Sequence, residues 1–211
     1  METRKRLAHV GKPILLLVLV VAVVGAVLIS TQTLKKRLNS RSIPVTADNA
    51  ALVEVSYDIL KCIKDSDYAA LSRITHPVSG LLFSPYATIL ETGAKTFTPA
   101  QVSAFAADKT EYVWGVYDGS AEPINLTPRD YFAEFVFDCD FTRAGVVGVN
   151  RTVRTGNALE NLTEIRPGVR YIEFHIPDDG DATNWRSLRL GFEEHNGFLM
   201  LTVILHSENT V

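Results

Sequence analysis

Pro13 to Ser30 reads PILLLVLVVAVVGAVLIS, eighteen residues without one charge. A helix over that run would be roughly 27 Å long, close to the hydrocarbon thickness of a bilayer. Lipid offers backbone groups no water, so such a segment must close its hydrogen bonds within itself, as a helix does. The run is longer than the core of a secretory signal, and no A-x-A cleavage site follows it. The expectation is an uncleaved single-pass anchor. Residues 1–12 then form a short basic tail, 13–33 the transmembrane helix that contacts the lipid bilayer, 34–47 a basic stalk, and 48–211 one folded domain.

Charge bears on orientation and partners. Arg4, Lys5, Arg6 and Lys12 precede the run, and Lys35, Lys36, Arg37 and Arg41 follow it. Four against four leaves the positive-inside rule undecided. The short N-terminal flank stays inside easily, and a large domain crosses largely regardless of its charge. The expected location is therefore the cell membrane, with the domain outside the cytoplasm. Those eight cations face a single acid, Glu2, so residues 1–41 carry +7; with the whole chain at −3, the remainder carries −10. An acidic body lacks the basic face that nucleic acid requires. Cys62 and Cys139 are too few for a disulfide framework, and buried free thiols are favoured over a bridge.

The body opens with helices. Asp48 suits an N-cap, and Leu52, Val55, Ile59, Leu60 and Ile63 recur at helical spacing over 49–64. Asp65–Ser66–Asp67 breaks that helix, Tyr68 to Thr75 resumes it, and His76–Pro77 ends it. Thr98–Pro99, with Gln101, and Thr127–Pro128 each mark a helix start. A strand is expected over Tyr112 to Tyr117, turned by Asp118–Gly119, and another over Val146 to Val153. Arg170 to Ile176 and Ser187 to Glu194 alternate as strands. His195–Asn196–Gly197 signals a type I′ hairpin to the partner strand Phe198 to His206. Helices followed by an antiparallel meander give an α+β domain, its helices packed on a curved antiparallel sheet.

That order resembles the nuclear-transport-factor-2-like (cystatin-like cone) superfamily in its opening helix, the Asp65 to Leu71 turn, His76–Pro77 and the final hairpin. Several strings also resemble a group of uncharacterised extracytoplasmic proteins of Gram-positive bacteria, many of them lipoproteins. They are Phe83–Ser84–Pro85–Tyr86, Trp114 to Ser120 with Glu122–Pro123–Ile124, Phe135 to Asp138, Trp185 to Leu190, and His206. This chain carries the apolar run where many of that group carry a lipidated Cys, and it has no aromatic after His206. The resemblance implies a sheet curved around a pocket.

Candidate ligand-binding residues are His76, Ser84, Tyr86, Trp114, Asp118, Asp138, Arg186 and His206, each in an aromatic or turn-rich string. The structural alternative is Trp114 and Tyr86 in the core, Asp118 as a turn former and Arg186 paired with an acid. No catalytic residue, metal site or cofactor is assigned. Asp178 to Asn184 lacks EF-hand spacing, and Asp138–Cys139–Asp140 would place two acids on one side of a strand. The favoured role is non-catalytic binding of a small molecule or an envelope protein. A small pocket enzyme of isomerase or hydrolase type and a structural domain of an envelope complex are the alternatives.

Overall fold

The computed structural model describes residues 43–90 and 93–209. The apolar run, with the expected tail, anchor and most of the stalk, lies outside them. Among the described residues no helix is long and apolar enough to cross a membrane.

Helix α1 (Asn49–Lys64) starts where the Asp48 carboxylate accepts from the Ala51 amide at 2.8 Å. It buries Leu52, Val55, Ile59, Leu60 and Ile63. Asp67 caps α2 (Tyr68–Ile74) in the same way. Thr98 and Gln101 complete a reciprocal capping box at α3 (Pro99–Ala104). Thr127 caps α4 (Pro128–Tyr131), which runs on into a π-helical turn, Phe132–Val136, closed by the Phe137 amide on the Phe132 carbonyl at 2.7 Å. A short helix α5 (Leu162–Ile165) lies in the long connection before the last three strands.

The strands are β1 (Ile43–Pro44), β2 (Leu81–Ser84), β3 (Lys95–Phe97), β4 (Tyr112–Val116), β5 (Pro123–Leu126), β6 (Val146–Val149), β7 (Arg170–Ile176), β8 (Arg186–His195) and β9 (Phe198–Glu208). A seven-stranded curved sheet has the order β3-β2-β9-β8-β7-β6, with β1 also on β9. Strands β4 and β5 form a separate ribbon.

Several expectations are corrected here. The sheet is mixed rather than antiparallel, because β2 runs parallel to β9, with Leu82 opposite Val203 and Ser84 opposite Leu205. Strand β9 is long enough to pair β1 at its start and β2 further on. The fold also takes in residues assigned to the stalk: Ile43 is buried and lies opposite Leu199. Strand β6 stops at Val149, because Asn150 takes a positive φ of 50° and turns the chain. Asp138–Cys139–Asp140 is not a strand; it follows the π turn, and Asp140 caps a 3-10 turn, Phe141–Arg143. Both cysteines are free thiols. The hairpin turns at Asn196 (φ 52°) and Gly197 (φ 83°), the positive pair that a type I′ turn demands.

Alternation along the strands gives the sheet two buried faces. Leu81, Phe83, Ile172, Phe174, Leu188, Leu190 and Ile204 belong to the main core with α1 and α2. Phe83 is its centre, in ring contact with Phe97, Phe105, Trp114, Tyr131 and Phe132. Each such aromatic pair adds about 0.5–1.5 kcal/mol beyond area burial. The opposite face presents Leu82, Tyr171, Val203 and Leu205, which cluster with Leu162 and Val169 from the long connection and with Ile89. Asn161 fastens that connection by bonding both the amide and the carbonyl of Ile89, at 2.8 and 3.0 Å.

Candidate functional site

At one end of the sheet, β7 ends at Ile176, β8 begins at Arg186 and β9 ends at Glu208. These strand ends, the π turn and the Pro85–Tyr86 segment enclose an open cavity of about 650 Å³. Its lining includes Tyr86, Tyr117, Glu134, Phe135, Asp138, Cys139, Asp179, Asn184, Arg186 and Glu208. That volume falls in the range of small-molecule sites.

Arg186 is the hub. Its Nε lies 3.0 Å from Asp138 Oδ2 and 3.2 Å from Glu208 Oε2, and a terminal nitrogen donates to the Trp185 carbonyl at 2.9 Å. Glu208 stands directly across β9 from Arg186, so the register supplies this partner. Asp138 is brought in by the π turn. The same carboxylate oxygen is 3.5 Å from His206 Nε2, within ion-pair range and long for a hydrogen bond. His206 is buried, and its Nδ1 sits 3.2 Å from the Pro85 carbonyl. A carbonyl only accepts, so Nδ1 carries a hydrogen. Nε2 then meets the carboxylate attractively only when it too is protonated, and it has no other hydrogen-bond partner.

These contacts set the proton affinities. Burial alone pushes the Asp138 carboxyl up, but His206 and the Arg186 guanidinium outweigh it and hold the group below the ordinary carboxylate range. Burial and the neighbouring Asp138 push the Cys139 thiol up to about 12, so it is no ready nucleophile. Tyr86 is raised by burial, and Tyr117 by burial and by donating to Glu134 at 2.9 Å.

The eight sequence candidates are not all together. Tyr86, Asp138 and Arg186 line the cavity, and His206 backs its wall through Asp138. Ser84 is buried and braces the Tyr86 carbonyl by donating to it at 2.8 Å. Asp118 belongs to an adjoining hollow of about 380 Å³, which shares Tyr86 and Tyr117 with the cavity; its amide donates to the Tyr86 hydroxyl at 3.3 Å.

Trp114 does not share a concavity with Arg186. It is fully buried, stacked on Tyr131 at 3.8 Å, and donates through Nε1 to the Leu126 carbonyl. The ring turns inward by the ordinary alternation of β4, opposite the exposed Val113. His76 is also elsewhere. Its backbone amide reaches the Leu201 carbonyl, seven residues along β9 from Glu208, or roughly 23 Å of strand. There its Nδ1 accepts from the Val78 and Ser79 amides, and it lines a separate hollow with Glu193 and Glu194.

A second charged cluster has no counterpart among the candidates. Arg189, 1% exposed, pairs through Nε with Glu173 at 2.7 Å and through its two terminal nitrogens with Glu160. The cluster lies on the opposite face of the sheet from His206. Among the described residues no group of three or more His, Cys, Asp or Glu could hold a metal ion.

In comparisons with known proteins, no family model, curated protein or solved structure matches the chain.

Proposed function

We propose that this protein is a single-pass membrane-anchored, extracytoplasmic binding module with a cone-like domain, whose ligand occupies the cavity at the strand ends. The observation that carries this reading is Arg186 held by Asp138 and Glu208 on the wall of a cavity of about 650 Å³. A side chain so fixed presents the same polar surface to every ligand that arrives, which lowers the ordering cost of binding. The uncharged run of 13–30 and the short basic N-terminus motivate the anchor and its orientation. The resemblance to extracytoplasmic Gram-positive proteins points to the same compartment, and the superfamily resemblance to the same kind of cavity.

A thermal-shift panel of cations, anions and neutral small molecules on the full-length protein tests the binding reading. At least one class should raise the melting temperature, and Asn184→Trp, which narrows the cavity from an exposed loop, should abolish the rise. A panel without any hit, or hits unmoved by Asn184→Trp, would remove the cavity from the reading. For topology, protease added to intact protoplasts should digest the domain; digestion only after lysis would reverse the orientation.

A second reading, a small pocket enzyme, draws on the His206–Asp138 pair. A carboxylate on a cavity wall with an imidazole behind it is placed as a general base would be. Turnover of a bound hit, lost in Asp138→Asn, would favour the enzyme over the binder.

A further inference from the structure

Within the cavity reading, on which this inference rests, the ligand class follows from the wall. Four carboxylates line the cavity, from Glu134, Asp138, Asp179 and Glu208, against one guanidinium. That guanidinium is occupied: its Nε serves Asp138 and Glu208, and a terminal nitrogen serves the Trp185 carbonyl. An anionic ligand would meet a net negative wall and a cation already engaged. The remaining character is aromatic. The Phe135 ring stands edge-on to Tyr86 at 5.9 Å and tilted against Tyr117 at 6.2 Å, so three rings gather at one side. Glu134 accepts from the Tyr117 hydroxyl, which fixes a carboxylate beside those rings. Tyr86 and Tyr117 remain neutral phenols, as their raised proton affinities require.

We propose that the cavity binds an organic ammonium cation, a small molecule bearing a quaternary or primary ammonium group, held between the rings of Tyr86, Tyr117 and Phe135 and the carboxylates of Glu134 and Asp179. Ring quadrupoles attract a diffuse cation and are indifferent to its neutral isostere, and an adjacent carboxylate adds a Coulomb component.

The test compares two probes of equal shape. Choline and its uncharged isostere 3,3-dimethylbutan-1-ol are titrated calorimetrically into the full-length protein in detergent micelles at low ionic strength. Choline should bind at least tenfold more tightly. The double variant Glu134→Gln/Asp179→Asn should weaken choline at least threefold and leave the alcohol unmoved; its melting temperature checks that the domain is folded. Equal or tighter binding of the alcohol, or tighter binding of acetate, would overturn the cation assignment while leaving a ligand cavity in place. No binding of choline, or choline binding untouched by the double variant, would overturn it as well. The cavity reading itself falls only with the separate panel and Asn184→Trp.

Discussion

Arg186 and Arg189 lie three residues apart on the same strand, and alternation sends them to opposite faces of the sheet. Each is met by two carboxylates, Arg186 by Asp138 and Glu208, Arg189 by Glu173 and Glu160. Yet the Arg189 side chain is 1% exposed and that of Arg186 30%. The first is sealed under the connection that carries Glu160, and the second opens on a cavity. Equal pairing therefore serves different ends. Inside the sheet the charges satisfy one another, because an unpaired buried ion is costly. At the strand ends they hold a shape that solvent and ligand can reach.

The contrast can be broken by substitution. The largest effect is expected at Arg189→Met, which leaves Glu173, fully buried, without its cation. Removing one partner of a buried pair costs about 3–5 kcal/mol, and urea denaturation should show it. Adding Glu173→Leu should restore much of the loss; a single variant that melts like the wild type would mean the cluster is not sealed.

Next comes the turn that fixes which arginine faces which way. A slip of one residue would exchange the two faces of β8. Gly197→Val forces a β-branched residue to a φ of 83° and should cost about 1–3 kcal/mol of unfolding free energy. An unchanged denaturation midpoint would show that the register does not depend on this turn.

Arg186→Met should cost less, about 1 kcal/mol, since pairs open to solvent on one side contribute less to stability than sealed ones. A loss as large as that of Arg189→Met would erase the distinction between the two sites.

The smallest effect is a pH dependence. The Asp138 carboxyl is held below its ordinary range in the folded state, so its contribution is fully present above the unfolded value, about 4, and fades as pH falls through the folded value. The stability difference between wild type and Asp138→Asn should accordingly shrink as pH falls below about 4. A difference that does not shrink in that range would contradict the ion pair with Arg186.

The local elements were legible because local chemistry makes them. Asp48, Thr98 and Thr127 each bond the amides that a helix start leaves open, and Asn196–Gly197 accepts the positive φ of its turn. What depended on distant partners was not. The parallel pairing of β2 with β9 joins segments more than a hundred residues apart, and nothing in Leu81 to Ser84 names that neighbour. The pairing of Glu208 with Arg186 escapes a simple count from the hairpin. His195 opposite Phe198 would place Ser207 across from Arg186, but the bulge between Gly191 and Phe192 shifts the register by one. Of the candidate site, Tyr86, Asp138, Arg186 and His206 come together, while Trp114 turns into the core on the face of β4 opposite Val113 and His76 sits at the other end of β9. The Arg189 cluster was hidden because a cation in an alternating strand reads as solvent-facing, and only the fold shows the connection that covers it.

The central claim is that Arg186 belongs to a ligand site and Arg189 to the scaffold. The most direct measurement is the melting-temperature rise given by ligands of the full-length wild type, repeated on Arg186→Met. The account expects a variant that melts close to the wild type in the absence of ligand and shows a larger rise with a cationic ligand, because the cavity wall has lost its one guanidinium. An unchanged rise in Arg186→Met would contradict it, because the ligand would then sit beyond the reach of Arg186.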